Sequence, residues 1–156
     1  MHRRGFNLLE LAITLAVLAL LLTLGSGAYN GYQQRRQLQL VAEALVRDAQ
    51  AGREAALAHQ RPAFLRVQGG PSNWCWGVSV AAPCDCRNAA SACRVAHSQA
   101  GQHPPMRLNG DAQVEWQPQR GETTGAVQVE LESVGGQRRQ VQIQADGRAR
   151  VCDGPC

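Results

Sequence analysis

The first feature of the chain is a long apolar run near its N-terminus. The polar side chains within residues 6–24 are Asn7, Glu10, Thr14 and Thr23. An apolar helix of this length reaches across the hydrocarbon core of a bilayer. Basic residues precede it at positions 2–4, which favours a cytoplasmic N-terminus. Glu10 is out of place in this run, because a carboxylate in a spanning helix costs about 2.5–3.5 kcal/mol on membrane-insertion scales.

An amphipathic helical pattern follows over residues 29–60. Its apolar positions recur three, four and seven residues apart and are Leu38, Val41, Ala42, Leu45, Ala49 and Ala56. Pro62 ends the pattern and moves Arg61 out of helical geometry. Glycines at positions 25, 27 and 31 weaken a helix and predict a break or bend there. The two patterns predict one long helix, with its first half in a membrane or filament core and its second half on a globular head.

After Pro62 the hydrophobic period changes to two, which is typical of β-strands. Strands are predicted over residues 63–67, 74–80, 113–117, 126–134, 139–145 and 148–152. Residues 81–105, rich in Cys, Ala, Ser and Pro, are predicted to form one long loop. The fold class is therefore α+β: a long helix packed on an antiparallel β-sheet head. The three tryptophans, Trp74, Trp76 and Trp116, are expected in its core.

The six cysteines are an even number, and in an exported chain they are expected to form disulfides. The short interval between Cys152 and Cys156 predicts one small closed loop. The other four are Cys75, Cys84, Cys86 and Cys93, and their three possible pairings stay open. Their spacing, even with nearby His97, does not match that of structural zinc sites. No metal and no cofactor is expected.

The residues around Glu10 offer a reason for its position. Arg4-Gly5-Phe6-Asn7-Leu8-Leu9-Glu10 resembles the prepilin signal of type IV pilins and type II secretion pseudopilins. The resemblance implies that a prepilin peptidase cuts after Gly5, that Phe6 is then methylated, and that the apolar helix stays in the mature protein. Glu10 then faces the N-terminal amine of a neighbouring subunit, and pairing makes a buried carboxylate tolerable. A cleaved secretory signal and a plain membrane anchor are the alternatives, and neither explains Glu10.

The resemblance also implies an organisation into four segments. These are a leader peptide (residues 1–5), a transmembrane or filament-core helix (6–28), an amphipathic helix (29–61) and a β-rich pilin head (62–156). The chain is expected in the bacterial inner membrane with its head in the periplasm, and then in a pilus filament at the cell surface. The expected partners are other pilins, the prepilin peptidase and, before assembly, the inner membrane.

The end of the chain carries a second motif. On a strand, Arg148 and Arg150 point the same way, roughly 6.5–7 Å apart, so their guanidinium groups suit consecutive phosphates of one nucleic-acid strand. Arg138 and Arg139 in the preceding hairpin widen this patch. The long helix, the short strands and Gly147-Arg148-Ala149-Arg150 resemble the GspH/FimT family of minor pilins and pseudopilins. In FimT-type members a Gly-Arg-x-Arg motif is implicated in DNA binding, whereas the cysteine-rich loop does not map onto the family.

These features predict a minor type IV pilin that binds extracellular double-stranded DNA without sequence preference for uptake in natural transformation. The main alternative is a minor pilin or type II secretion pseudopilin that acts in filament assembly and does not bind DNA. All sixteen basic side chains are arginine and the net charge is only +4, a modest value for a nucleic-acid-binding chain. An adhesin that uses the region of residues 75–93 and the tryptophans is a third possibility.

Catalysis is not expected of this chain. It has no recognisable nucleophile–histidine–acid arrangement, no motif of paired acids and no glycine-rich phosphate loop. His59, His97 and His103 fall in predicted loops or at a helix end and are interpreted as surface residues. The chain is predicted to be a substrate of the prepilin peptidase and not itself an enzyme.

Overall fold

The structure, a computed structural model, describes residues 8–88, 90–91, 93–152 and 156. The elements in chain order are α1 (Leu8–His59), β1 (Ala63–Gln68), β2 (Cys75–Val80), β3 (Ala96–Gln99), a 3-10 helix (Ala100–Gln102), β4 (Met106–Asn109), β5 (Ala112–Trp116), β6 (Val127–Ser133), β7 (Arg138–Ile143) and β8 (Ala149–Cys152). The α+β class is confirmed: one long N-terminal helix packs on antiparallel sheets.

Helix α1 is continuous over 52 residues, a length of about 78 Å at the usual rise per residue. The break predicted at glycines 25–31 is wrong, because the helix runs through them without interruption. The helix ends at His59, where Gln60 takes a left-handed φ of 50°. Pro62 then begins the extended path into β1, as the sequence indicates.

The two halves of α1 have different surroundings. Large apolar side chains of the first half are exposed, for example Leu8 at 84% and Leu20 at 64%, and burial begins only at Leu38. The predicted amphipathic face is therefore correct from Leu38 onward, while Tyr29 and Tyr32 remain exposed. Among the described residues, none of the helical sequence reaches the length and apolar character needed to cross a membrane. The predicted span begins at Phe6, outside those residues.

The eight strands form two four-stranded sheets, within which neighbouring strands are antiparallel. The strand order is β3-β2-β1-β5 in the first sheet and β4-β6-β7-β8 in the second. Gly70 and Leu108 join the sheets through two backbone hydrogen bonds of 2.9 and 3.2 Å. Helix α1 packs across both sheets, so its buried face and the inner sheet faces share one core.

Strands β3 and β4 are absent from the sequence prediction. The region predicted as one loop over residues 81–105 contains β3 and the 3-10 helix, and β4 follows directly. Both strands have only four residues and lie at sheet edges. Edge strands this short alternate over too few positions to show a period, and they depend on their partners for definition.

The three tryptophans lie in the core, at most 1% exposed, which excludes them as surface contacts of an adhesin. Each indole N–H has a partner, as a buried indole needs: Trp74 donates to the Met106 carbonyl at 2.9 Å, Trp76 to Asp48 Oδ2 at 2.7 Å and Trp116 to the Gly147 carbonyl at 3.1 Å. The indoles thus tie α1, both sheets and the turn before β8 together.

His103 is half-buried and not the surface residue expected from the sequence. Its ring stacks on Trp74 and Trp76 with centroid separations of 5.5 and 5.7 Å. Burial lowers the pKa of His103 below its ordinary value, while the Asp48 carboxylate opposes that change. Since Ser98 Oγ lies 2.6 Å from Nε2, the ring also helps to fix the chain between β3 and β4.

Helix α1 packs tightly against the first sheet at Gly52. A Cβ atom there would lie 2.9 Å from Trp116 Cζ3 and 2.9 Å from Val78 Cγ1. Both neighbours are buried, so neither has room to move. The helix therefore needs glycine at this position despite the poor helix propensity of glycine.

We expect Gly52→Ala to lower the free energy of unfolding by about 1–2 kcal/mol, because overpacking outweighs the gain in helix propensity. The measurement is chemical denaturation of the full chain in mild detergent, followed by tryptophan fluorescence. Gly27→Ala is the matched control, since a Cβ there meets nothing within 4 Å in the same helix. Equal stability changes in the two variants would contradict the packing argument.

Candidate nucleic-acid interface

The motif Gly147-Arg148-Ala149-Arg150 begins in the turn between β7 and β8. Gly147 has a φ of 79°, in the left-handed region that favours glycine. A Cβ atom on Gly147 would also collide with the Gly121 carbonyl oxygen. The Gly147 carbonyl accepts the Trp116 indole hydrogen bond, and its N–H donates to the Gln144 carbonyl at 2.9 Å. Glycine here shapes and anchors the turn that presents the arginines.

Arg148 and Arg150 are exposed on either side of the buried Ala149, so they share the outer side of the second sheet. The Arg148 side chain is 76% exposed, and its Nε lies 3.7 Å from Asp146 Oδ2. An ion pair this exposed is weak and leaves the guanidinium available to other anions. Arg148 is held more firmly by its backbone, whose N–H donates to Asp146 Oδ1 at 3.0 Å.

Arg150 is oriented by a neutral acceptor. Its Nε and Nη2 both donate to Gln142 Oε1, at 3.1 and 2.8 Å, across the β7–β8 pair. An amide oxygen orients the guanidinium without cancelling its charge. Gln142 is a part of the site that the sequence analysis did not identify, because the pairing of Gln142 with Arg150 depends on the sheet register.

Arg138 and Arg139 differ from this pair and from each other. Arg138 Nε lies 3.8 Å from both Glu130 Oε1 and Glu132 Oε2. Its charge is therefore opposed by two carboxylates on the same outer face. Arg139 lies opposite the buried Leu131 and is half-buried on the other side of the strand. Both lie at the start of β7, whereas Gln142, the partner of Arg150, lies near the end of that strand.

The C-terminal disulfide closes the edge beside the motif. Cys152 at the end of β8 is bonded to Cys156, whose N–H donates to Gln140 Oε1 at 3.2 Å. Because β8 is an edge strand, this link ties its free end back to β7. The disulfide thereby restricts motion of the strand that carries Arg150.

Two further disulfides organise the cysteine-rich loop. They join Cys75 to Cys86 and Cys84 to Cys93, so the pairing that the sequence left open is now defined. The second bond packs directly over Gly77 of β2, where a Cβ would meet the sulfurs of Cys93 and Cys84. The loop is thus held against the sheet by covalent bonds.

The sites expected at the N-terminus are only partly within the described chain. Gly5 and Phe6 lie outside the described residues. Glu10 is exposed on the first described turns of α1, and within the described residues it makes no hydrogen bond or ion pair. Its predicted pairing with another subunit stays a prediction.

Gly147→Ala is expected to cost at least about 1–3 kcal/mol of stability, because the left-handed backbone is strained for alanine and the Cβ collides with a backbone carbonyl. Thermal denaturation of the full chain measures the effect. Gly136→Ala is the control: its φ is 77° but its Cβ would meet nothing within 4 Å. A Gly147→Ala loss no larger than that of the control would contradict a role for the Gly121 contact.

The fold has a counterpart among solved structures. It is similar to the crystal structure of the type IV minor pilin FimU from Pseudomonas aeruginosa (strain PAO1), with a TM-score of 0.58 and 15% sequence identity. The alignment covers 78% of this chain and 92% of that one. No family model and no curated protein matches the sequence. At this identity the likeness concerns the fold, and the chain has a type IV pilin-like fold.

Proposed function

We propose that this chain is a minor pilin of a type IV pilus and that its head captures extracellular double-stranded DNA for uptake in natural transformation. The observation that carries the DNA-binding part is the exposed pair Arg148 and Arg150, which flank the buried Ala149 at the start of edge strand β8. The pilin-like fold and the exposed apolar half of α1 support the filament part.

The first half of α1 exposes apolar side chains that need an apolar environment. Its exposed leucines, isoleucine and valine form a far larger apolar surface than the isolated apolar residues common on soluble proteins. Burying a single such side chain is worth about 1.5–3 kcal/mol. We propose that this apolar surface is buried in the inner membrane before assembly and against the helices of other pilins in the filament. Cleavage after Gly5 by the prepilin peptidase and methylation of Phe6 belong to the same proposal.

Glu10→Ala is expected to reduce incorporation into filaments by roughly tenfold, about the effect of losing one buried charge-assisted pair. The measurement is the amount of this chain in sheared pili relative to its amount in whole cells. Thr14→Ala is the control, because within the described residues the Thr14 hydroxyl donates to the Leu11 carbonyl of its own helix, at 2.8 Å, and to no other acceptor. Normal incorporation of Glu10→Ala would contradict the proposed pairing.

Binding to DNA by this site depends on phosphates rather than bases. Two guanidinium groups on an outer strand can donate hydrogen bonds to the phosphates of DNA, but they do not enter a DNA groove to contact base edges. Affinity should therefore be independent of sequence and should fall as salt rises. A few contacts per subunit become effective when several heads on one filament engage the same DNA.

A second candidate function is filament assembly in a pilus or a type II secretion system, without DNA binding. The observation that favours it is the neutralisation of Arg138 by Glu130 and Glu132 on the outer face of the second sheet. The small excess of charge over residues 30–156, fourteen arginines against eleven acids, points the same way. This candidate needs Glu10 but is indifferent to Arg148 and Arg150.

The test of DNA binding is a titration of the full chain, in mild detergent, against labelled duplex DNA between about 50 and 200 mM salt. Arg148→Gln with Arg150→Gln should lower the magnitude of the slope of log K against log salt by about 1–2, near 0.9 per lost phosphate contact. Arg36→Gln with Arg47→Gln removes the same charge from exposed positions on α1 and is the control.

The outcomes separate the two functions. A loss confined to the Arg148/Arg150 variant supports DNA capture by this site. Absence of binding by the unsubstituted chain even at the lowest salt would reject it in favour of assembly alone. Equal losses in both double variants would show that net charge, and not this site, governs binding.

A further inference from the structure

Several arginines outside the motif lie at one end of the head. Four strand termini of the first sheet lie at the same end of the head: the starts of β1 and β3 and the ends of β2 and β5. There Ala63 is opposite both Val80 and Trp116. Helix α1 also ends there, since only a few residues separate His59 from β1. The turn before β8 is held at this end of the head by the hydrogen bond from the Trp116 indole to the Gly147 carbonyl.

Four of the chain segments at this end of the head carry an arginine. The residues are Arg61 before β1, Arg94 before β3, Arg120 in the turn after β5 and Arg148 before β8. We call these four the arginine rim.

Backbone hydrogen bonds hold these ends in place. The Ala81 N–H donates to the Pro62 carbonyl at 2.7 Å, and Val95 to Val78 at 3.1 Å. After β5, the Gly121 N–H donates to the Gln117 carbonyl at 2.8 Å, closing the turn that carries Arg120.

The charges of the rim are available. Arg61, Arg94 and Arg120 are exposed, and within the described residues none of their side chains makes a hydrogen bond or an ion pair. Two carboxylates lie in the same turns, Asp146 beside Arg148 and the exposed Glu122. The rim thus keeps an excess of positive charge, unlike the outer sheet face around Arg138.

Arg61 and Arg94 border a groove of about 500 Å³, which is also lined by His59, Val80 and Val95. Among the described residues, no acidic side chain lines it. Cys93, directly before Arg94, is held by its disulfide to Cys84. The cysteine-rich loop, which does not map onto the family, therefore positions one of the cations of the rim.

We infer that Arg61, Arg94 and Arg120 extend the Arg148 site into one surface that binds the phosphate backbone of duplex DNA across the end of the head. This inference rests on the proposed function. The length of this surface follows from the strand order. Three inter-strand steps of about 4.8 Å separate β3 from β5, and the turn before β8 lies beyond β5, next to Gly121. The rim then spans on the order of 20 Å, which at about 7 Å between consecutive phosphates corresponds to about four phosphates along one DNA strand.

The groove and the turn have distinct parts in this binding. The groove receives a backbone segment between Arg61 and Arg94, with the valine side chains against the sugar. Arg120 and Arg148 contact phosphates further along the same strand. DNA lying in this direction crosses the strand ends and meets the second sheet at Arg148 and Arg150. Arg138 lies at the opposite end of β7, so the carboxylates around it stay out of the interface.

The experiment compares Arg61→Gln with Arg94→Gln against the Arg36→Gln/Arg47→Gln control, in the same salt titration of the full chain with duplex DNA. We expect the rim variant to bind about tenfold to a hundredfold more weakly than the control at about 50 mM salt, with the salt slope reduced by about 1–2. Combined with Arg148→Gln and Arg150→Gln, the losses should add on a logarithmic scale, since the two variants remove different phosphate contacts of the same surface. Equal melting temperatures verify that the variants fold alike.

Three results would overturn the inference, and they differ in what they say of the proposed function. If the rim variant binds like the control while the Arg148/Arg150 variant is weakened, the rim is rejected and DNA capture by the motif stands. If the unsubstituted chain does not bind, both are rejected. If the rim variant alone is weakened, Arg148 does not belong to one surface with Arg61 and Arg94.

Discussion

The close approach of α1 to Trp116 is the constraint on which the rest of the head depends. Gly52 leaves room for the indole edge, with the Cβ of any larger residue 2.9 Å from Trp116 Cζ3. The indole N–H, on the other side of the ring system, binds the Gly147 carbonyl at 3.1 Å. A small residue on the helix thereby determines where the turn before β8 lies and how Arg148 is presented. Structure and candidate function are connected here through a single buried side chain.

The other two tryptophans extend the same principle. Trp76 bonds to Asp48 of α1, and Trp74 bonds to the Met106 carbonyl at the start of β4. Their rings stack with centroids 5.4 Å apart, and His103 packs against both. Because a buried indole requires an acceptor, each ring specifies a partner element as well as filling volume. Two small sheets and one helix thus share a core in which each tryptophan N–H has an acceptor.

The arginines show how position decides the use of a charge. Arg53 donates to the Gly121 carbonyl and Arg35 to Gln137, so these two support the contact between α1 and the head. Arg138 lies beside the carboxylates of Glu130 and Glu132, and Arg150 is oriented by the amide oxygen of Gln142. Arg61, Arg94 and Arg120 have no such partners within the described chain. A net charge of +4 says little about binding, because partners cancel the charge at some sites and leave it available at others.

The sequence by itself determined the long helix, its buried face from Leu38 onward, the fold class and the longer strands. These features depend on local periodicity, which short stretches of sequence contain. Only the tertiary structure decided the edge strands β3 and β4, the pairing of Cys75 with Cys86, the contact of Arg150 with Gln142 and the gathering of Arg61, Arg94 and Arg120 at one end. Each of these depends on strand order and register between segments far apart in the chain, and no local pattern contains that information.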